Sequence, residues 1–294
     1  MRVGIVDVGS NTVRLLVAER VRGGLRAVCE ERALLSLGAE IERRGKVPQR
    51  KIDETAVTVA RSVRRARAAG AAEVAVLITS PGRQASNGAV LAEQLARSTG
   101  AAVRLLSQED EGRLAYAGAL VRSARPDGVV AVCDVGGGSS QLVVGTDPVW
   151  PSWVRSVDVG SLRLTQRFLD DDPPTKAQLK AARASAAAEF GALVPPLPRT
   201  ALATGGTARA LSRIAGRMLG ADAFERALAD IKGESSKAIA ARYGIPRWRA
   251  RVLPGGTILL QEAQRVLGVP LEVARGGLRE GAALELLQRA AAVA

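Results

Sequence analysis

Two short runs in this chain set an acid beside glycines, where a backbone can meet an anion. The longer is Asp134-Val135-Gly136-Gly137-Gly138-Ser139-Ser140, between the apolar runs Val129-Val130-Ala131-Val132-Cys133 and Gln141-Leu142-Val143-Val144. Each flank has the length of a buried strand, so the whole reads as a hairpin. Its glycines can take positive φ and aim successive N–H groups at one anion, as phosphate-binding nests do. Asp134, at the strand end, suits the hard divalent cation that accompanies phosphate. A plain β-turn would use the same residues, so one such turn decides little. The second run, Asp7-Val8-Gly9-Ser10-Asn11, lies between Val3-Gly4-Ile5-Val6 and Thr12-Val13-Arg14-Leu15-Leu16-Val17. Laid on the later hairpin without a gap, 127 positions away, Asp7 meets Asp134, Gly9 meets Gly136, Leu15 meets Leu142 and Val17 meets Val144. A strand, acid-x-Gly turn and strand recurring at about a domain's spacing argues for two related lobes, each with a phosphate-gripping turn.

The elements around these turns must hold them. Residues 25–37 read as a further β region. Residues 51–69 carry Ile52, Ala56, Val59, Ala60 and Val63 at helical spacing and close at Gly70. Residues 74–78 and 102–106 read as buried strands, with a helix to about residue 98 between them and another beyond Ser107. After a polar Pro/Gly segment at 122–128, the natural lobe boundary, a strand at 154–159 leads to a helix ending near 169. An Ala-rich helix spans 175–193, and a short strand at 200–203 precedes Thr204-Gly205-Gly206-Thr207-Ala208-Arg209, which opens a helix. Strands alternating with helices predict α/β lobes, each a mixed sheet covered by helices, over 1–125 and 126–294. Asp170-Asp171-Asp172-Pro173-Pro174 lacks the spacing of a calcium loop and reads as a solvated turn.

Composition removes several chemistries. The 294 residues contain no histidine, which excludes Ser-His-Asp and Cys-His catalysis and HExxH zinc sites. Hydrolysis must then rest on carboxylates, metal-bound water and Arg, Lys or backbone clamps. The formal charge of +13 invites a polyanion, but aromatics are only 3%, so platforms for stacking bases are scarce and nucleic acid is disfavoured. The two cysteines, Cys29 and Cys133, cannot build a disulfide framework and suit a reducing cytoplasm. No apolar run approaches the ~20 residues of a membrane span, and the N-terminus lacks a signal-peptide pattern.

Two Asp-x-Gly hairpins opening two lobes resemble the actin, sugar kinase and Hsp70 superfamily. Within it, Val6-Asp7-Val8-Gly9-Ser10-Asn11-Thr12 and Asp134-Val135-Gly136-Gly137-Gly138-Ser139 resemble the exopolyphosphatase and guanosine pentaphosphate phosphohydrolase (Ppx/GppA) family, over residues 2 to about 288. Two ribonuclease H-like (actin-like ATPase) lobes with an interlobe cleft are then expected, in a short form without the histidine-aspartate domain of longer members. The resemblance implies release of terminal phosphate from inorganic polyphosphate, with guanosine pentaphosphate or a nucleoside triphosphate as the near alternative. It implies that Glu111, in Ser107-Gln108-Glu109-Asp110-Glu111, is the general base, with Glu109 and Asp110 as capping charges. Arg83, in Thr79-x-x-x-Arg83-x-Ala85-x-Asn87, would clamp phosphate, joined by Ser10, Asn11, Gly136, Gly137, Gly138 and Ser139. Gly205, Gly206 and Thr207 would supply a helix N-terminus to phosphate. Asp134 and Asp7 would hold Mg²⁺ (or Mn²⁺). Ala274-Arg275-Gly276-Gly277-Leu278-Arg279-Glu280-Gly281 matches a C-terminal signature read as a packing element. A cytoplasmic homodimer is the family's expectation.

Three positions depart from the pattern. Pro81 replaces a small residue, and its preset φ implies a slightly shifted loop. Gln141 stands where most of the family has Glu, and a neutral amide holds Mg²⁺ less well than a carboxylate. Arg251 replaces an acid before Leu253-Pro254-Gly255. These departures open another reading, a catalytically weakened polyphosphate-binding regulator.

Overall fold

Strands buried on both faces read as continuous apolar runs, and the first sheet is built on them. β1 (Arg2–Val8) and β2 (Thr12–Val21) are such runs, while β3 (Gly24–Leu34), on the edge, buries only Leu25 and otherwise mixes partly buried with exposed residues. The helices α1 (Leu37–Arg44) and α2 (Gln49–Ala68) lead to β4 (Glu73–Ile78). Then α3 (Ser80–Gln84), α4 (Gly88–Thr99), β5 (Ala102–Leu105) and α5 (Gln108–Leu120) follow. The sheet order is β3-β2-β1-β4-β5, with β2 antiparallel to both β1 and β3 and with β4 and β5 parallel to β1. Alternate residues of β1 serve two cores. Val6 and Val8 pack with α2 residues such as Val59 and Val63, whereas Val3 and Ile5 pack with Leu114 and Ala115 of α5.

The second sheet repeats this plan. Its strands are β6 (Val130–Val135), β7 (Ser140–Gly145), β8 (Trp153–Val157), β9 (Thr200–Thr204), β10 (Met218–Leu219) and β11 (Leu271–Val273). Between them run α6 (Ser161–Phe168), α7 (Lys176–Gly191), α8 (Gly205–Ala215), α9 (Ala221–Ile231), α10 (Ser236–Tyr243) and α11 (Arg247–Leu267). The order β8-β7-β6-β9-β11 matches the first sheet strand for strand, with β10 added beyond β11. Registers match as well: Asp7 lies opposite Arg14 in the first hairpin, and Asp134 opposite Gln141 in the second. The expected duplication is therefore present, as two mixed sheets covered by helices.

The computed structural model describes residues 1–121 and 128–293. The chain forms two compact units, Met1–Arg122 with Gly276–Ala294, and Ser123–Arg275. This differs from the sequence division at 125/126, which assigned everything to residue 294 to the second lobe. The cause is α12 (Leu278–Val293): its Leu278, Ala282, Ala283, Leu286 and Leu287 complete the core against β1, β2 and α5. Of the boundary segment at 122–128, residues 122–127 lie outside the described residues. No helix among the described residues is long and apolar enough to cross a membrane.

Candidate active site

In the first unit, β4 runs straight into α3. Pro81 occupies the first turn of that helix, where a missing N–H forfeits no helical bond and the fixed φ suits the conformation. Arg83 follows two residues later. Its Nη1 donates to the Leu106 carbonyl at 2.8 Å and its Nη2 to Glu111 Oε2 at 2.6 Å, while its buried Nε–H has no hydrogen-bond partner. Glu111 stands in the first turn of α5 and is only 5% exposed. The helix start that carries it is well made: Ser107 Oγ accepts from Asp110 N at 3.0 Å, the cap expected from the sequence. Two residues singled out 28 positions apart thus form one ion pair, held by the short helix α3 and the first turn of α5.

Ser10 belongs to the same neighbourhood. Its hydroxyl hydrogen-bonds Ser80 Oγ at 2.7 Å, tying the first hairpin to the helix that bears Arg83. Asn11 is engaged elsewhere: its carbonyl accepts from Leu35 and Ser36 N–H, and its Oδ1 accepts from Ser36 Oγ at 3.2 Å. Asp7 faces cations. Burial pushes its carboxyl up, Arg14 and Arg279 pull it down, and Glu280 opposes them. Burial outweighs the two cations, so the Asp7 carboxyl is held above its ordinary value.

In the second unit the glycines of the hairpin work differently from expectation. Gly136, Gly137 and Gly138 are not among the residues with positive φ. What the turn requires is close approach: a Cβ on Gly160 would lie 2.4 Å from the Gly137 carbonyl carbon and 2.6 Å from Gly138 N. Gly160 opens α6, whose first N–H groups then satisfy the hairpin. Ser161 N and Oγ donate to Gly136 O, and Leu162 N and Arg163 N to Gly137 O. The Gly136 and Gly137 carbonyls are thereby turned toward α6, and Gly136 N donates across the turn to Ser139 O at 3.0 Å.

Positive φ appears instead at Gly205, where φ is 94°. A Cβ there would also lie 2.9 Å from Asp134 Oδ1 and 2.9 Å from Val135 O, so glycine is needed on both counts. The Asp134 carboxylate therefore abuts the N-terminus of α8. A Cβ on Gly206 would sit 2.3 Å from Arg249 Nη2, which places that guanidinium across the Gly205–Gly206 turn. Arg249 stacks on the neighbouring Trp248 ring at 4.6 Å and adds a cation that the sequence reading passed over. A Trp-Arg pair at a helix start was the available signal. Thr207 contributes less than expected, because its fully buried hydroxyl is packed against Gly256 of α11 and has no hydrogen-bond partner.

Gln141 is fully buried opposite Asp134. Its Nε2 donates to Ser139 Oγ and Ser156 Oγ, each at 3.1 Å, and its Oε1 has no partner. Ser139, expected to bind phosphate, is thus engaged by the amide. Among the described residues no group of three or more Cys, Asp and Glu is clustered as a closed metal cage. Mg²⁺ rarely needs one, being held by one or two carboxylates together with substrate phosphates and waters. Asp134 and the unpartnered Gln141 oxygen, cross-strand neighbours on one sheet face, fit that open donor set. Beside them Cys133 is inert, its thiol pushed up by burial and by the Asp134 charge.

The other unusual positions are structural. Arg251 donates to the Leu169 and Asp170 carbonyls and pins the turn after α6. Arg279, 6% exposed, donates to Leu15 O at 2.9 Å and pairs with Glu30 at 3.0 Å, while Glu280 accepts from Gly277 N. That is the packing role read for the C-terminal signature.

Two sheets of this strand order define the actin-like, ribonuclease H-like ATPase fold. A crystal structure of the Aquifex aeolicus member of the Ppx/GppA family matches with a TM-score of 0.83 at 28% identity, covering 98% of each chain. The model of the Ppx/GppA phosphatase family matches residues 16–290, and the chain belongs to that family. Exopolyphosphatase 1 of Mycobacterium bovis is 30% identical over 305 residues, covering 98% of this chain and 88% of that protein. The guanosine-5'-triphosphate,3'-diphosphate pyrophosphatase of Aeromonas hydrophila is 26% identical, covering 96% of this chain and 58% of that protein.

Proposed function

We propose that this chain is an exopolyphosphatase: it removes the terminal phosphate of inorganic polyphosphate by attack of water. The observation that carries the reading is the buried pair Arg83–Glu111. A guanidinium fixed by Leu106 O and Glu111, with an Nε–H to spare, is a preset clamp for phosphate oxygens. A carboxylate touching that clamp is placed to take a proton from water beside the bound phosphate. In the step itself the water oxygen bonds to the terminal phosphorus and the bridging P–O bond breaks. The electron pair leaves with the shortened chain, and the proton passes to Glu111. Within the second unit, the α8 N-terminus at Gly205 and Gly206 is a source of N–H groups for anions. Arg249 adds a positive charge there. Asp134 and Gln141 would hold Mg²⁺, which when bound offsets charge developing on the phosphates. Asp7, buried with its carboxyl raised, is the lesser candidate for the metal. A homodimer working in the cytoplasm belongs to the same reading, and light scattering on the purified protein tests its oligomeric half.

A phosphate-release panel over polyphosphates of several lengths, guanosine pentaphosphate and ATP, each with and without Mg²⁺, tests the assignment. Metal-dependent release that is fastest from polyphosphate supports it. Faster release from guanosine pentaphosphate would move the chain to the activity named for the Aeromonas relative. Gln141 favours one further reading, a polyphosphate-binding regulator of low turnover, because its amide brings no charge to the metal. Tight polyphosphate binding without release would select it.

A further inference from the structure

Away from these residues, α7 and α9 border a cavity of about 340 Å³ in the second unit. Its floor is apolar: Pro174, Leu179, Leu228, Ile231 and, from α11, Pro254. Its rim is basic, with Lys176, Lys180 and Arg183 along one face of α7 and Lys232 at the end of α9. The single acid on the wall, Glu225, is already engaged. It accepts from Gln261 Nε2 at 2.6 Å and lies 4.0 Å from Arg183, whose Nη1 also donates to Gln261. That leaves Lys176, Lys180 and Lys232 without an ion pair among the described residues, grouped above an apolar floor.

Unpaired like charges repel, and a groove that gathers three of them is relieved by an anion. An inorganic anion would satisfy the lysines but leave the floor wet. A ligand with an apolar body satisfies both, and the volume lies within the range of small-molecule sites. We propose that this groove is a second binding site for a small organic phosphate, with the phosphate among Lys176, Lys180 and Lys232 and the body on Leu179, Leu228 and Ile231. A nucleotide and an alkyl phosphate share this chemistry. The site is independent of the hydrolytic reading, since none of its residues belongs to the Arg83–Glu111 or Asp134 groups.

Isothermal titration of the full chain with AMP and with hexyl phosphate tests it, because neither probe contains a phosphoanhydride bond to cleave. One-to-one binding of at least one probe is expected, and which of the two binds tells a nucleotide from an alkyl phosphate. The double substitution Lys180→Glu with Lys232→Glu should weaken that binding at least tenfold while phosphate release from polyphosphate and the melting temperature stay as in the parent. Absence of binding by both probes at 1 mM would overturn the proposal. So would binding that the double variant leaves unchanged, or inorganic tripolyphosphate occupying the same lysines as tightly as the better probe.

Discussion

Arg83 and Glu111 lie on different helices, yet each fixes the other's rotamer. Both were marked by the family resemblance of their motifs, whereas their pairing across 28 positions was not. Gln141 was legible as a departure, but its partners were not: Ser156 comes from a strand that no local pattern pairs with β7 at that register. Arg249 was missed for the same reason, its place over Gly206 being set by tertiary packing. The structure shows how Gln141→Glu can be accommodated. Ser139 and Ser156 accept from the amide, and both hydroxyls can rotate to donate to a carboxylate instead. The expected outcome is a lower half-saturating Mg²⁺ concentration for phosphate release, by about tenfold, since a charged oxygen replaces a neutral one. A metal titration of the initial rate reads this directly; an unchanged or raised requirement would remove Gln141 from the metal site.

Helix ends and alternating strands were readable from capping and periodicity, whereas α11 runs through Pro254-Gly255-Gly256, residues that ordinarily break a helix. Those residues are buried inside a 21-residue helix, where Gly255 and Gly256 let α6 and α8 come close. Tertiary contact here overrides a strong local breaker. The same close packing governs α12. A Cβ on Gly118 would lie 1.8 Å from the Gly277 carbonyl oxygen and 2.5 Å from Gly281 N. Gly118→Ala, ordinarily mildly favourable in a helix, should therefore cost about 2 kcal/mol or more by thermal or urea denaturation. Gly191→Ala, where a Cβ meets nothing within 4 Å, should cost nothing. Electrostatics also hold α12 in place: Glu285 accepts from Arg104, Arg113 and Arg289 at 2.6–2.7 Å. Burial raises the Glu285 carboxyl, but the hydrogen bonds from Arg113 and Arg104 outweigh it, leaving it below its ordinary value. A lowered carboxyl stabilises the fold above its unfolded-state pKa, about 4.3, and loses that contribution as pH falls through the folded value. Glu285→Gln should therefore cost about 1–2 kcal/mol at pH 7. The gap in melting temperature between variant and parent should narrow as pH drops below about 4.

At the scale of the molecule, the repeat read from Asp7 and Asp134 is the architecture itself, one strand order drawn twice. What the repeat could not reveal is that the chain's last helix returns to the first unit. The two halves have also diverged where it matters. Cross-strand from the acid, one carries Arg14 and the other Gln141, so a single pattern sets a cation opposite the acid in one unit and a neutral amide in the other. The net charge of +13 agrees with a polyanionic substrate but does not choose one. The central claim is that Glu111 takes the proton of the attacking water, and Glu111→Gln, compared with the parent for phosphate release and for polyphosphate binding, tests it most directly. The account predicts turnover lowered by about a hundredfold or more with binding changed only a few-fold. A variant that releases phosphate as fast as the parent would contradict it.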